Sequence, residues 1–135
     1  MKKNILIVEK HPMMRLFLHN YLSKYYNVKS FKSFKSIFEE VEIGFFTDAI
    51  VSHYCSANSE ESRYLEDIKF HILLRNRPVL MFTNEDKSDQ RIHALSLGAK
   101  DSISKPFNPE ELQLRISRLI NSENVELVNS KLQVS

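Results

Sequence analysis

A single cysteine, Cys55, occurs in the 135 residues. No intramolecular disulfide can form, which fits a reducing compartment and excludes a small disulfide-stapled secreted scaffold. An excess of either charge is missing too: 19 Lys and Arg stand against 17 Asp and Glu, for a formal charge of +2. The basic residues are scattered in pairs, so no strong nucleic-acid surface is indicated. Long apolar runs are lacking as well. The run after Met1-Lys2-Lys3 is too short for a signal-peptide core or a membrane span, and the chain is expected to be cytoplasmic. Repeats and low-complexity tracts are not found. The remaining composition, 42% hydrophobic and 27% charged, is that of an ordinary globular protein. The length suits one domain with a core of its own.

Two hydrophobic periods alternate along the chain. Residues 4 to 8 form a continuous apolar run that suits a strand buried on both faces. Pro12 opens a helix, where its missing N–H costs nothing, and Met14, Phe17, Leu18, Tyr21 and Leu22 lie on one face. A strand near residues 28 to 31 follows, then a helix marked by Phe34, Ile37, Phe38 and Val41 and ended by Gly44. Residues 48 to 52 read as a central strand, and Leu65, Ile68 and Ile72 as a third helix that must stop before Pro78. Residues 78 to 82 read as a fourth strand. Ile92, Leu95 and Ala99 mark a fourth helix closed by Gly98, and residues 102 to 104 a short fifth strand. Asn108-Pro109-Glu110-Glu111 starts the last helix with a capping side chain, a first-turn proline and two acids at the positive dipole end; Leu112, Ile116, Leu119 and Ile120 give its buried face.

Five strand–helix pairs predict a doubly wound α/β fold, a five-stranded parallel sheet with helices on both faces. Sites in such sheets form beyond the carboxyl ends of the strands, where strand order reverses. The positions to inspect are therefore residues 9 to 12, 52 to 55, 83 to 84 and 105 to 106. The domain is expected to occupy residues 1–120. Residues 121–135, polar with a few apolar points, are expected to form a C-terminal extension or linker.

Those strand ends, taken together, resemble the receiver domain of bacterial two-component response regulators. The resemblance rests on Ile5-Leu-Ile-Val-Glu9, Asp48-Ala-Ile-Val51, Pro78-Val-Leu-Met-Phe-Thr83, Leu97-Gly-Ala-Lys-Asp101, Ser104-Lys-Pro-Phe107 and Pro109-Glu-Glu-Leu112. It implies a flavodoxin-like fold with strand order 2-1-3-4-5. It also implies a pocket in which an aspartate ending the third strand accepts a phosphoryl group. There a divalent cation is held by that aspartate and by acids after the first strand, and a Thr or Ser and a Lys engage the phosphoryl oxygens. Thr83 and Lys105-Pro106 match this pattern, and Glu9 matches the first acid. Lys10 stands in place of the second acid and His53 in place of the acceptor. Ala57 stands for an expected proline, Glu61 for an expected glycine and Ser102 for the switch aromatic of the fifth strand.

A degenerate acceptor position at His53 implies an atypical receiver that acts through protein contacts without aspartyl phosphorylation, and not an enzyme. Neither Mg²⁺ nor any other cofactor is expected, because Glu9 stands alone against Lys10 and Lys105. His53 is expected to fill the pocket. The competing readings are a phosphohistidine that keeps the chain in a phosphorelay and a transition-metal site of His11, His53 and Cys55. A third reading makes the chain the regulatory domain of a DNA-binding response regulator. Lys10 is expected either to place its ammonium beside Glu9 or to stay in solvent, and Lys105 to pair with Glu9. Cys55 is read as an ordinary loop thiol, and His19, His71 and His93 as surface residues. The partner, whether a kinase, an output domain or a second copy of the chain, is expected on the face of the fourth helix, fifth strand and last helix, with Arg91, His93, Lys100, Asp101, Arg115 and Arg118. Neither a membrane nor nucleic acid is expected as a partner of this domain alone.

Overall fold

A computed structural model describes residues 2–40, 46–56, 58–68, 77–84 and 88–134, with side chains through residue 121 except Ile68. The elements alternate as β1 (Asn4–Val8), α1 (Pro12–Leu22), β2 (Asn27–Phe31), α2 (Phe34–Glu40), β3 (Ala49–Ser52), α3 (Glu60–Ile68), β4 (Val79–Thr83), α4 (Ser88–Ser96), β5 (Asp101–Ser104) and α5 (Pro109–Val134). All five strands are parallel, in the order β2-β1-β3-β4-β5. The fold is the doubly wound, flavodoxin-like one expected. Val41, Gly44, Ala57, His71 and Ile72 lie outside the described residues. Helix α5 crosses residue 121, where a separate extension is expected, and its backbone runs on to Val134.

The central strands are apolar throughout because both of their faces are covered. Leu6, Val8, Ile50, Val79 and Met81 join Phe34, Ile37, Leu65, Ala94 and Leu97 in the core beneath α2, α3 and α4. Ile5, Ile7, Val51, Leu80 and Phe82 join Leu18, Leu22, Leu112 and Ile116 beneath α1 and α5. Strand alternation thus deals successive side chains into two separate cores. Helix starts carry local caps: Ser33 Oγ accepts from the Ser36 amide, Ser59 Oγ from the Ser62 amide, and Asn108 Oδ1 from the Glu110 amide at 2.8 Å.

Helix α4 buries a different face from the one expected. Ile92 and Leu95 are 68% and 55% exposed, while Ala94 and Leu97 are buried. The expected phase was anchored on Ala99, but α4 ends at Ser96 and Gly98, at φ 100°, turns the chain through the left-handed region. Ala99 is therefore buried without belonging to the helical stripe. A stability pair checks this. Leu97→Ala is expected to cost about 2–4 kcal/mol and Ile92→Ala no more than about 0.5 kcal/mol in urea denaturation. In α1 and α2 the buried faces are narrower than expected: Leu18, Leu22, Phe34 and Ile37 are inside, whereas Phe17 and Phe38 remain partly exposed.

Candidate functional site

Parallel pairing brings the expected positions to one rim. Val8 is paired with Ser52 and Thr83 with Ser104, so the next residues, Glu9, His53 and Lys105, leave the sheet together. The ladder continues one step into the loops: the His53 amide donates to Val8 O at 2.8 Å, that of Glu9 to Phe31 O at 2.9 Å and that of Lys105 to Thr83 O at 2.9 Å. The rim side chains are therefore placed by backbone bonds.

Glu9 is fully buried. Its Oε1 accepts from the His11 amide at 3.4 Å, and its Oε2 lies 3.6 Å from Lys105 Nζ. That is ion-pair range but too long for a hydrogen bond, and Oε2 has no hydrogen-bond partner among the described residues. Burying a carboxylate costs several kcal/mol unless a cation compensates it, and Lys105 is that cation. The Lys105 ammonium also lies 5.2 Å from the centroid of the Phe82 ring. Thr83 Oγ1 and Ser52 Oγ are buried and likewise unpartnered among the described residues. Three buried oxygens without a hydrogen-bond partner among the described residues, at the ends of β1, β3 and β4, make this a polar rim rather than an extension of either core.

His53 is buried and held at both ring nitrogens. Nδ1 accepts from the Lys10 amide at 3.1 Å. An amide can only donate, so the neutral ring carries its proton on Nε2. That Nε2–H donates to Glu61 Oε2 at 3.1 Å. The same carboxylate oxygen accepts from the Phe34 amide at 3.1 Å, and the Phe34 ring meets the His53 ring edge-on at a centroid distance of 6.2 Å. His53 thereby ties the β1–α1 turn to the first turns of α2 and α3. Burial alone would raise the Glu61 pKa, but hydrogen bonds from His53 and the Phe34 amide and the charge of Lys10 together hold it below the usual glutamate value.

Lys10 is exposed and makes no ion pair with Glu9 among the described residues. Its ammonium acts on Glu61 and Cys55 instead, favouring the anionic form of each. Of the two expectations for Lys10, the position beside Glu9 is therefore corrected: the chain beyond Glu9 turns toward His53. Cys55 is not an open loop thiol either. It is buried, and desolvation pushes its pKa up to about 12. Its Sγ belongs to a cluster with His53 and Glu61, whose ligand-type atoms all lie within 4.8 Å of one another. Exposed His11 is not part of that cluster.

Glu61 is the residue that sequence reasoning missed, since it registered only as a lost glycine. The available signal was the coincidence of two changes: an imidazole in place of one carboxylate and, eight residues on, a carboxylate that can accept from it. His93 is corrected too. It is half-buried and meets the Tyr54 ring edge-on at a centroid distance of 5.9 Å, with a buried Nε2 that lacks a partner among the described residues. His19 bonds Ser30 Oγ at 2.7 Å through Nδ1. On the α4–β5–α5 face, Arg115 is already engaged, clamping Asp101 at 2.9 and 3.0 Å and Glu111 at 3.1 Å. Ser102 leaves β5 without an aromatic, while Ile92 and Leu95 stand exposed on α4.

Comparison with known proteins agrees with this architecture. The family described as "Response regulator receiver domain" matches residues 5–117. The chain is 29% identical over 121 residues to histidine kinase P4 of Formosa agariphila, covering 90% of this chain and 9% of that protein. It is 30% identical over 73 residues to the phosphate regulon transcriptional regulatory protein PhoB of Escherichia coli, covering 54% of this chain and 32% of that protein. The chain thus spans a third or less of the length of these two relatives. The solved chemotaxis response regulator CheY4 of Vibrio cholerae superposes with a TM-score of 0.74 at 20% identity, covering 88% of this chain and 99% of that one. No helix among the described residues is long and apolar enough to cross a membrane.

Proposed function

From the premise that this chain belongs to the response regulator receiver family, we propose that it is an atypical receiver that signals through protein contacts and carries no aspartyl phosphate. The observation that carries this reading is the hydrogen bonding of His53 at the acceptor position, with Nδ1 on the Lys10 amide and Nε2 on Glu61. Nε2 carries the ring proton and the Nδ1 lone pair is taken by the Lys10 amide, so attack through Nδ1 would need the Lys10 bond broken, and attack through Nε2 the loss of its proton and of its bond to Glu61.

The residues present do not fit Mg²⁺. A hard divalent cation asks for six oxygen ligands, usually including one or two carboxylates. Among the described residues at the ends of β1, β3, β4 and β5, Glu9 is the one carboxylate, and Lys105 already compensates it at 3.6 Å. Position 10 brings an ammonium, and the Glu61 carboxylate is turned toward His53 and Phe34. Incubation with acetyl phosphate and Mg²⁺, followed by intact-mass spectrometry, is expected to leave the chain unlabelled. A phosphoryl adduct lost in hydroxylamine would defeat the proposal, and an acid-labile adduct that survives hydroxylamine would point to His53 itself.

The partner face we favour is α4–β5–α5, where Arg91, Ile92, Leu95 and Lys100 are all exposed. Arg118 on α5 adds a further exposed charge. Relatives longer than this chain support a second reading, in which the domain regulates an attached kinase or transcriptional output.

A further inference from the structure

His53, Cys55 and Glu61 form a cluster that shares no residue with the Glu9–Lys105 pair and meets the core beneath α2, α3 and α4 through Cys55. We propose that these three side chains form a zinc site, with His53 Nε2, Cys55 Sγ and a Glu61 carboxylate oxygen as ligands and water as the fourth. Imidazole, thiolate and carboxylate are the ligand types zinc takes, and three protein ligands with one open position is a known zinc arrangement. Two of the three ligands, His53 and Cys55, are buried, and the Glu61 side chain is 28% exposed. That leaves an approach from solvent at one corner.

Geometry and charge both favour the assignment. His53 Nε2 and Glu61 Oε2 are 3.1 Å apart, and all three ligand atoms lie within 4.8 Å of one another. A tetrahedral zinc with bonds of about 2.0–2.3 Å holds its ligand atoms roughly 3.3–3.7 Å apart. An inward shift on the order of 1 Å is therefore enough. One thiolate and one carboxylate neutralise Zn²⁺, so the loaded site carries no net charge into the interior. Mg²⁺ would find a sulfur and a nitrogen where it demands oxygens, which separates this site from the metal position of the family.

The proton balance gives the site a consequence. Cys55 releases its S–H proton to solvent on loading. The His53 proton leaves Nε2, which now binds metal, and Nδ1 takes one up, leaving the ring neutral. Nδ1–H then faces the Lys10 N–H, two donors against each other, so the 3.1 Å bond must break. Zinc is thus coupled to the turn between β1 and α1: binding frees the Lys10 amide.

The test uses the full chain purified without chelator and titrated with Zn²⁺ and with Co²⁺ as a spectroscopic substitute. Expected are one ion per chain by native mass spectrometry, a thiolate-to-cobalt charge-transfer band in the near ultraviolet, and a shifted Lys10 amide resonance. Cys55→Ser should abolish the band and weaken zinc binding by at least 100-fold. Glu61→Gln should weaken it by about 10- to 100-fold, with folding of both variants checked by circular dichroism. Absence of stoichiometric zinc on the wild-type chain would overturn the site, and that measurement depends on no variant. Zinc bound equally well by Cys55→Ser would also overturn it, by placing the ion on other histidines. Labelling by acetyl phosphate, by contrast, bears on the receiver reading alone.

Discussion

The combined replacement Lys10→Asp with His53→Asp is expected to restore Mg²⁺ binding that neither change restores alone. Two unit charges about 4 Å apart interact by about 4 kcal/mol at an effective dielectric of 20. Exchanging an ammonium for a carboxylate at position 10 therefore turns a repulsive contribution into an attractive one. His53→Asp alone leaves the Lys10 ammonium beside the rim; Lys10→Asp alone leaves His53 bonded to Glu61 and occupying the acceptor position. Together they present three carboxylates, Glu9 and the two introduced aspartates, to a cation beside Thr83. Recovery stays partial, because Glu61 loses its donor and faces the new carboxylate at position 53. Isothermal titration should show Mg²⁺ bound at least tenfold more tightly by the double variant than by either single one, a difference of about 1.4 kcal/mol. Full recovery by His53→Asp alone would mean that Lys10 exerts no hold on the pocket.

The second large effect belongs to Phe34. Its ring is fully buried between sheet and helix and stands edge-on to the His53 imidazole, and its amide donates to Glu61. Phe34→Ala removes core volume and the wall against which the imidazole rests, with an expected loss of about 3–5 kcal/mol. A domain of this size has about 5–15 kcal/mol in total, so the urea midpoint should fall steeply. Phe34→Leu keeps most of the volume and should cost less than about 1.5 kcal/mol. A loss below about 1 kcal/mol for Phe34→Ala would show that α2 packs independently of the rim.

How far the sequence carries this account differs from element to element. Strand β1 was legible to the residue, because four consecutive apolar side chains, Ile5 to Val8, have no helical phase to confuse them. Helix α4 was not, since apolar residues occupy two stripes and hydrophobicity alone does not say which one the sheet takes. The short buried face of Ala94 and Leu97 wins through Gly98, which removes Ala99 from the helix. At the rim, strand-end reasoning placed Glu9, His53, Thr83 and Lys105 together, since register in a parallel sheet follows from the strands themselves. It also anticipated the Glu9–Lys105 pair. What it could not supply was direction: whether the imidazole points toward Lys105 or toward α3 depends on the side chain at position 61, one crossover away. Cys55 was misjudged for a related reason, because a short polar segment reads as exposed loop even where its one sulfur is folded inward.

The central claim is that the acceptor position holds an imidazole engaged at both nitrogens. Nitrogen-15 NMR of the His53 ring, recorded before and after addition of Mg²⁺ with beryllofluoride, tests it most directly. Expected are a neutral ring protonated at Nε2, an Nδ1 resonance typical of an acceptor, and no change in either signal or in the Thr83 and Lys105 amides on addition. An Nδ1-protonated ring, or saturable shifts at Thr83 and Lys105, would contradict it.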